Sequence, residues 1–215
     1  MDHGQQRMQQ LATSAIADGR PLAWYDQLYA EAGEVPWDHR EPTPYLVEWL
    51  AERFPGDPPR GRAVVVGCAF GDDAELVARH GFTTTAFDIS SSAIRAAQRR
   101  HPDSPVHYCR ADLLDLPADW DRHFDLVIEC TTLQCLPPQL HREAAGGIAS
   151  LCAPGGMILV VARVPTPDDP PGPPWLLTED EVRDVATDGV DLINLARLPM
   201  RGGERWVAEL TRSTG

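Results

Sequence analysis

The sequence predicts an α/β protein whose mostly parallel sheet ends in an antiparallel hairpin, seven strands in all. Three observations carry this expectation. Short β-branched apolar runs alternate with helical patterns from residue 63 onward. Two of the runs, Asp125-Leu-Val-Ile-Glu129 and Met157-Ile-Leu-Val-Val-Ala162, are almost continuously apolar, as strands covered on both faces are. Near residue 165 the alternation stops, and the last two strand-like pieces have no helix between them.

Taken in order, residues 1–20 are polar and predict a flexible segment, with 21–215 forming a single domain. Within it, 21–60 reads as an aromatic lid with helices: Trp24-Tyr-Asp-Gln-Leu-Tyr29, then Val35-Pro-Trp37-Asp38-His39-Arg40. From Pro44 onward Tyr45, Leu46, Trp49, Leu50 and Phe54 recur at near-helical intervals, until the breaker cluster Pro55–Gly61. Strands are expected at 63–66, 83–88, 106–110, 124–129 and 157–162, and helices at about 72–80, 91–100 and 140–151, joined by right-handed crossovers. Pro165 to Pro174 holds six prolines in ten residues and must be a rigid loop. Thr178-Glu-Asp-Glu181 is a capping box. Asp191–Ala196 and Trp206–Leu210, connected through Pro199–Gly203, should pair antiparallel.

A net charge of -13 argues against a nucleic-acid partner, and the basic cluster Arg95, Arg99 and Arg100 reads as a solvated helix face. Five cysteines at irregular spacings form neither a disulfide framework nor a metal pattern, so reduced thiols and a cytoplasmic location are expected, with no metal. The amino terminus lacks a signal-peptide core, and Met157–Ala162 is far too short to span a bilayer, so no membrane partner is expected.

The residues with the most chemical content are Gly67-Cys-Ala-Phe-Gly71 after the first strand and Asp88-Ile89 at the end of the second. Glycines let backbone approach a nucleoside cofactor, and an acid after the second strand can accept from a ribose diol. Gly67, Cys68, Gly71, Asp88 and Ile89 are therefore candidate cofactor residues. Asp112 is placed to accept from an adenine amino group, with Leu113 on the ring; the alternative is a turn-forming aspartate. Glu129 and Thr131 end the fourth strand, where open α/β sheets hold ligands. Trp37 can stack on a cationic centre, and Tyr25 and Tyr29 either line the same lid or form the buried face of their helix. Trp175 and Asp168, in the proline-rich loop, are candidates for the acceptor side.

Four segments together resemble a class I S-adenosylmethionine-dependent methyltransferase, and more narrowly the thiopurine, thiol and halide methyltransferase group. They are Val35-Pro-Trp37-Asp38 with Pro42-Thr-Pro44; Gly67–Asp73 with Asp88-Ile-Ser90; Phe124–Pro138; and Pro154-Gly-Gly156 with Pro165, Asp168 and Gly172-Pro-Pro-Trp175. Three places depart from the pattern. Val65 stands where many relatives carry an acid, and Ala69 where they carry a third glycine. Glu129-Cys130 replaces an Asp/Tyr pair. The resemblance implies a Rossmann-like fold with helices on both sheet faces. It also implies S-adenosyl-L-methionine as cofactor, S-adenosyl-L-homocysteine as product, and a small-molecule acceptor for a monomer or weak homodimer. A thiol acceptor is favoured. The alternatives are an O- or N-methyltransferase of a small secondary metabolite, an NAD(P)-dependent oxidoreductase, and a non-catalytic cofactor-binding protein.

Overall fold

The computed structural model describes residues 3–30, 35–55, 61–200 and 202–214. Along the chain run α1 (His3–Ala17), α2 (Trp24–Ala30), α3 (Pro44–Arg53), β1 (Arg62–Val66), α4 (Asp72–Arg79), β2 (Thr83–Asp88) and α5 (Ser91–Arg100). β3 (His107–Arg110), β4 (Phe124–Cys130), α6 (His141–Leu151), β5 (Cys152–Arg163), α7 (Glu179–Arg183), β6 (Val190–Met200) and β7 (Gly203–Arg212) follow. The strands make one seven-stranded sheet in the order β3-β2-β1-β4-β5-β7-β6. The pairs β2/β3, β1/β4 and β4/β5 are parallel, whereas β5/β7 and β6/β7 are antiparallel. This is the mostly parallel sheet with a carboxyl-terminal hairpin that the sequence predicts. No helix of the described residues is long and apolar enough to cross a membrane.

Two compact units are distinguishable, Met1–Arg60 with Gly67–Arg110, and Gly61–Val66 with Ala111–Gly215. In the first, β2 and β3 run in register from Thr85↔His107 to Asp88↔Arg110. α5 begins where the Ser90 hydroxyl accepts from the Ala93 N–H at 3.1 Å, and it buries Ala93, Ile94 and Ala97. α3 ends at Phe54, whose ring meets Trp49 and Phe82 edge to face at 5.8 and 5.1 Å. The segment expected to be flexible contains α1, which buries Met8 and Ala12, one helical turn apart. An apolar stripe two residues wide is easily lost in a polar composition. Residues 1 and 2 of that segment, 31–34, and 56–60 of the breaker cluster lie outside the described residues.

In the second unit, β1 and β4 pair from Ala63↔Leu126 to Val66↔Glu129, and β4 and β5 from Leu126↔Met157 to Cys130↔Val161. The central aliphatics Val127, Ile128, Ile158, Leu159 and Val160 are fully buried. Each such side chain contributes about 1.5–3 kcal/mol relative to exposure. β5 starts at Cys152 rather than 157, because the Phe124↔Cys152 pair precedes a register shift that absorbs Pro154-Gly-Gly156. The hairpin is longer than predicted: Pro199, read as connection, pairs with Glu204 on the edge strand β6, where a proline is tolerated. Arg212 is 4% exposed, and its guanidinium donates to the carbonyls of Ala149 and Cys152 at 2.8 and 2.7 Å, closing the carboxyl end of α6. The capping box forms as read, with Thr178 and Glu181 satisfying each other's backbone N–H groups.

Candidate functional site

In the first unit the turn after β1 is left-handed at three places: Gly67 (φ 59°), Ala69 (φ 48°) and Gly71 (φ 90°). At Gly71 the conformation is not the whole reason for glycine, because a Cβ would collide with the Tyr108 hydroxyl. That hydroxyl donates to Glu75 at 2.7 Å. The Cys68 N–H donates to the Phe87 carbonyl and the Gly71 N–H to the Cys68 carbonyl, at 2.9 and 2.8 Å. Asp88 completes the corner. Its Oδ2 accepts from the Ala69 N–H at 3.1 Å, and its Oδ1 from the Ser90 N–H at 2.9 Å. Burial pushes the Asp88 carboxyl up to about 6, against the pull of those two hydrogen bonds. Each oxygen keeps lone-pair capacity for a further donor, which is what a ribose diol supplies. Ile89 lies beside it, its carbonyl accepting from Arg110 Nε at 3.0 Å. The Cys68 thiol is raised by burial and by the Asp88 carboxylate, so it has little thiolate character.

Tyr25, Tyr29 and Trp37 come together, and they do so beside this turn. Trp37 Nε1 donates to the Tyr29 hydroxyl at 2.7 Å, and its ring meets Tyr25 and Tyr29 at 6.3 and 6.0 Å. Tyr29 in turn stands edge-on to Phe70 of the glycine turn at 5.2 Å. Trp24, stacked on Tyr25 at 3.8 Å, is the buried base of the cluster. The Arg100 guanidinium lies 4.2 Å over Phe70 and grips Asp38 with two hydrogen bonds and Asp72 with one. Burial alone would raise Asp38, but the Arg100 contacts outweigh it and its pKa falls below the ordinary value.

Sequence reasoning missed Asp26. Its carboxylate accepts from the Ser90 hydroxyl and the Ser92 N–H, both at 2.8 Å, so α2 is docked on the amino end of α5. An acid on the polar side of a short helix carries no signal for a partner 64 residues away. α4 carries Asp72, Asp73 and Glu75 in its first turn, and Asp73 accepts from the Thr43 N–H and hydroxyl.

In the second unit, Glu129 is the most unusual side chain. It is fully buried, and its Oε1 accepts from the N–H groups of Thr132 and Leu133 at 2.6 and 2.9 Å. Its Oε2 is buried with no hydrogen-bond partner. Burial pushes the carboxyl up to about 7 despite the two backbone donors. Thr131 next to it is held at φ 64°, an outlier for a β-branched residue. Its N–H donates to the Val161 carbonyl at 2.8 Å, and the Thr132 hydroxyl donates to the Val66 carbonyl at 3.0 Å.

Trp175 is tied to this corner through a residue not foreseen, Gln134. The Gln134 carbonyl accepts from the Trp175 N–H, and its side-chain oxygen from the Arg163 N–H, both at 2.7 Å. Asp168 is exposed; its neighbour Asp169 organises the loop, pairing with Arg163 and Thr166. Asp112 forms a turn, its Oδ1 accepting from the Leu114 N–H at 3.0 Å, and Leu113 is buried with its carbonyl against Gly147 of α6. His141 is occupied by Glu181 at 2.7 Å and the Leu136 carbonyl at 2.8 Å. A polar cleft of about 420 Å³ is lined by Arg142, Gly146, Asp180, Arg183 and Asp184 among others, and includes none of the predicted site residues.

The family described as "Methyltransferase domain" matches residues 63–156. A probable thiol methyltransferase of Arabidopsis thaliana is 29% identical over 157 residues, 72% of this chain and 68% of that one. Among solved structures, one from work on the conversion of a disulfide bond into a thioacetal group during echinomycin biosynthesis superposes with a TM-score of 0.74. It is 22% identical and covers 89% of this chain and 91% of its own. The magnesium protoporphyrin IX methyltransferase of Synechocystis PCC 6803, solved with bound S-adenosylhomocysteine, gives 0.67 at 18% identity, covering 94% of this chain and all of its own (100%).

Proposed function

We propose, from the premise that the chain is a class I S-adenosyl-L-methionine-dependent methyltransferase, that it methylates a small-molecule thiol. The single observation that carries the acceptor is the likeness to a probable thiol methyltransferase over most of both chains. The residues of the first unit fit the nucleoside: a left-handed turn and a buried Asp88 with spare lone pairs. When bound, the cofactor would supply an electrophilic methyl on its sulfonium for transfer to a thiolate.

What the chain contributes is position and exclusion of water. In this reading Asp88 accepts from the ribose diol, while Gly67, Cys68, Gly71 and Ile89 shape the backbone against the nucleoside. Asp112 and Leu113 receive the adenine. Tyr25, Tyr29 and Trp37 wall the cationic centre, where a desolvated aromatic face is worth about 0.5–2 kcal/mol. Thr131, Trp175 and the Asp168 turn face the acceptor. A thiol, with a reference pKa of about 8.5, ionises without a dedicated base. That suits a chain in which His141, the one buried histidine among the described residues, is already committed at both ring nitrogens.

The test is a thermal-shift titration with S-adenosylmethionine and S-adenosylhomocysteine, then turnover against matched thiol, phenol and amine panels. Ligand at about 100 times its dissociation constant stabilises by roughly 2.7 kcal/mol, a visible rise in midpoint. Thiol turnover supports the reading. Turnover of phenols or amines but not thiols replaces it with O- or N-methylation, and binding without any turnover replaces it with a non-catalytic role.

A further inference from the structure

Where β5 ends, the second unit sets two like charges side by side. The last residue of β5 is Arg163, and its partner across the antiparallel β5/β7 ladder is Arg205. Residues directly opposite on paired strands project to the same face, so both side chains rise from one patch of sheet. Two residues back that face holds Val161 opposite Val207, both buried, so the arginines stand at the rim of an apolar surface. Like charges in this arrangement weaken a ladder rather than hold it. Burial and the Arg163 charge accordingly bring the Arg205 pKa below its ordinary value. The acids beside the pair have other work. Asp169 serves the Thr166 N–H and hydroxyl as well as Arg163, and Glu204 pairs with Arg197. In a chain of net charge -13, packing does not call for two arginines face to face. The pair is also tied to the corner that holds Trp175. The Arg163 N–H donates to the Gln134 side chain, and the Gln134 carbonyl accepts from the Trp175 N–H, both at 2.7 Å.

We propose that Arg163 and Arg205 together receive an anionic group of the methyl acceptor, which makes the substrate class a small thiol that also bears a carboxylate. The proposal rests on the thiol methyltransferase reading above, and every residue it uses belongs to the second unit. A carboxylate has two oxygens and can accept from two guanidiniums at once, which turns their repulsion into a shared attraction. A neutral thiol leaves the repulsion in place. Holding the acceptor by its far end also fixes the direction in which its sulfur points. Guanidiniums stay protonated at every working pH, so the preference for an anionic acceptor should not titrate between pH 6 and 9. The Arg163 side chain is 37% exposed, so the preference should shrink as salt is raised.

The experiment measures turnover of the full chain with S-adenosylmethionine and two thiols of one shape, 3-mercaptopropionate and its neutral amide. Wild type, Arg205→Met and Arg205→Lys are compared, so that the different acidities of the two thiols cancel in the acid-to-amide ratio. Calorimetric binding of the product thioether, 3-(methylthio)propionate, and of its amide is measured alongside. The expected result is that Arg205→Met lowers that ratio about tenfold or more, through KM, which is the effect of losing a charge-assisted hydrogen bond. Arg205→Lys, which keeps the charge, should recover part of it. Equal loss for acid and amide in Arg205→Met, or no loss for either, overturns the proposal and leaves the thiol reading standing. So does a wild type that favours the amide in both turnover and binding. Turnover of neither thiol, with the thioether acid still bound more tightly than its amide, overturns the thiol reading and supports the anion site. Neither turnover nor discrimination in binding overturns both.

Discussion

Ala69 and Gly71 show how much of the turn after β1 is backbone conformation and how much is space. In sequence Ala69 stands out only as a missing glycine; in the structure it takes the left-handed conformation that glycine adopts freely, at φ 48°. Its N–H is spent on Asp88, which holds the conformation in place. Gly71 has no such latitude, since its φ is 90° and the Tyr108 ring fills the space beside it. We expect Gly71→Ala to cost about 2–4 kcal/mol from strain and overpacking and to abolish S-adenosylhomocysteine binding. Adding Tyr108→Phe should restore part of the stability in urea denaturation; no recovery would mean that strain alone is responsible. The glycines and Asp88 were legible because their chemistry is local. The contact with Tyr108, 37 residues on, was not, and neither was the empty Oε2 of Glu129, which depends on how the following turn spends its N–H groups.

Strands and helices with a clear period came through intact: β2, β4 and α5 lie within a residue or so of their expected limits. Elements defined by contact with something else did not. α1 buries only a narrow stripe, and β6 and β7 extend past their apolar cores because pairing, not hydrophobicity, continues the ladder to Met200↔Gly203. The docking of α2 on α5 belongs to the same class. Burial would raise Asp26, but the Ser92 and Ser90 hydrogen bonds and Arg95 bring its pKa below the ordinary value, so it is ionised at neutral pH. Asp26→Ala removes the acceptor for the Ser92 N–H and should cost about 1 kcal/mol, as loss of a helix cap does. Hydrogen exchange should then speed in α2 and the first turn of α5 while the β4/β5 amides keep their protection. Uniform loss of protection would show that α2 is not a separable element.

For the molecule as a whole the titration of two buried acids sets the direction of pH dependence. Asp88 and Glu129 are both raised, to about 6 and about 7, so between pH 4.5 and 7 the ligand-free native state holds protons that the unfolded chain has released. Stability must then fall as pH rises through that window. Asp26, Asp38 and Glu181 are lowered and act in the opposite sense, losing their contribution only as pH falls below the ordinary carboxylate range. The urea midpoint of the ligand-free protein should therefore be higher at pH 5 than at pH 7.5, and Glu129→Gln should flatten the difference. A midpoint that climbs across the same interval would contradict the burial of both acids. The mostly parallel sheet and its antiparallel end were legible in the alternation of strand and helix and in its stopping near residue 165, whereas the strand order rests on which strands pair.

The acidic first turn of α4 has a bearing on molecular competition. In a cell, adenine arrives mostly attached to phosphate, and a helix that follows a glycine turn is a natural phosphate cradle. Here the positive end of that helix already faces Asp72, Asp73 and Glu75. Little of its field is left to attract an anion, although Arg100 answers the charge of Asp72. An anion approaching that end of the helix would meet carboxylates before backbone N–H groups, a filter by sign that operates before shape is consulted.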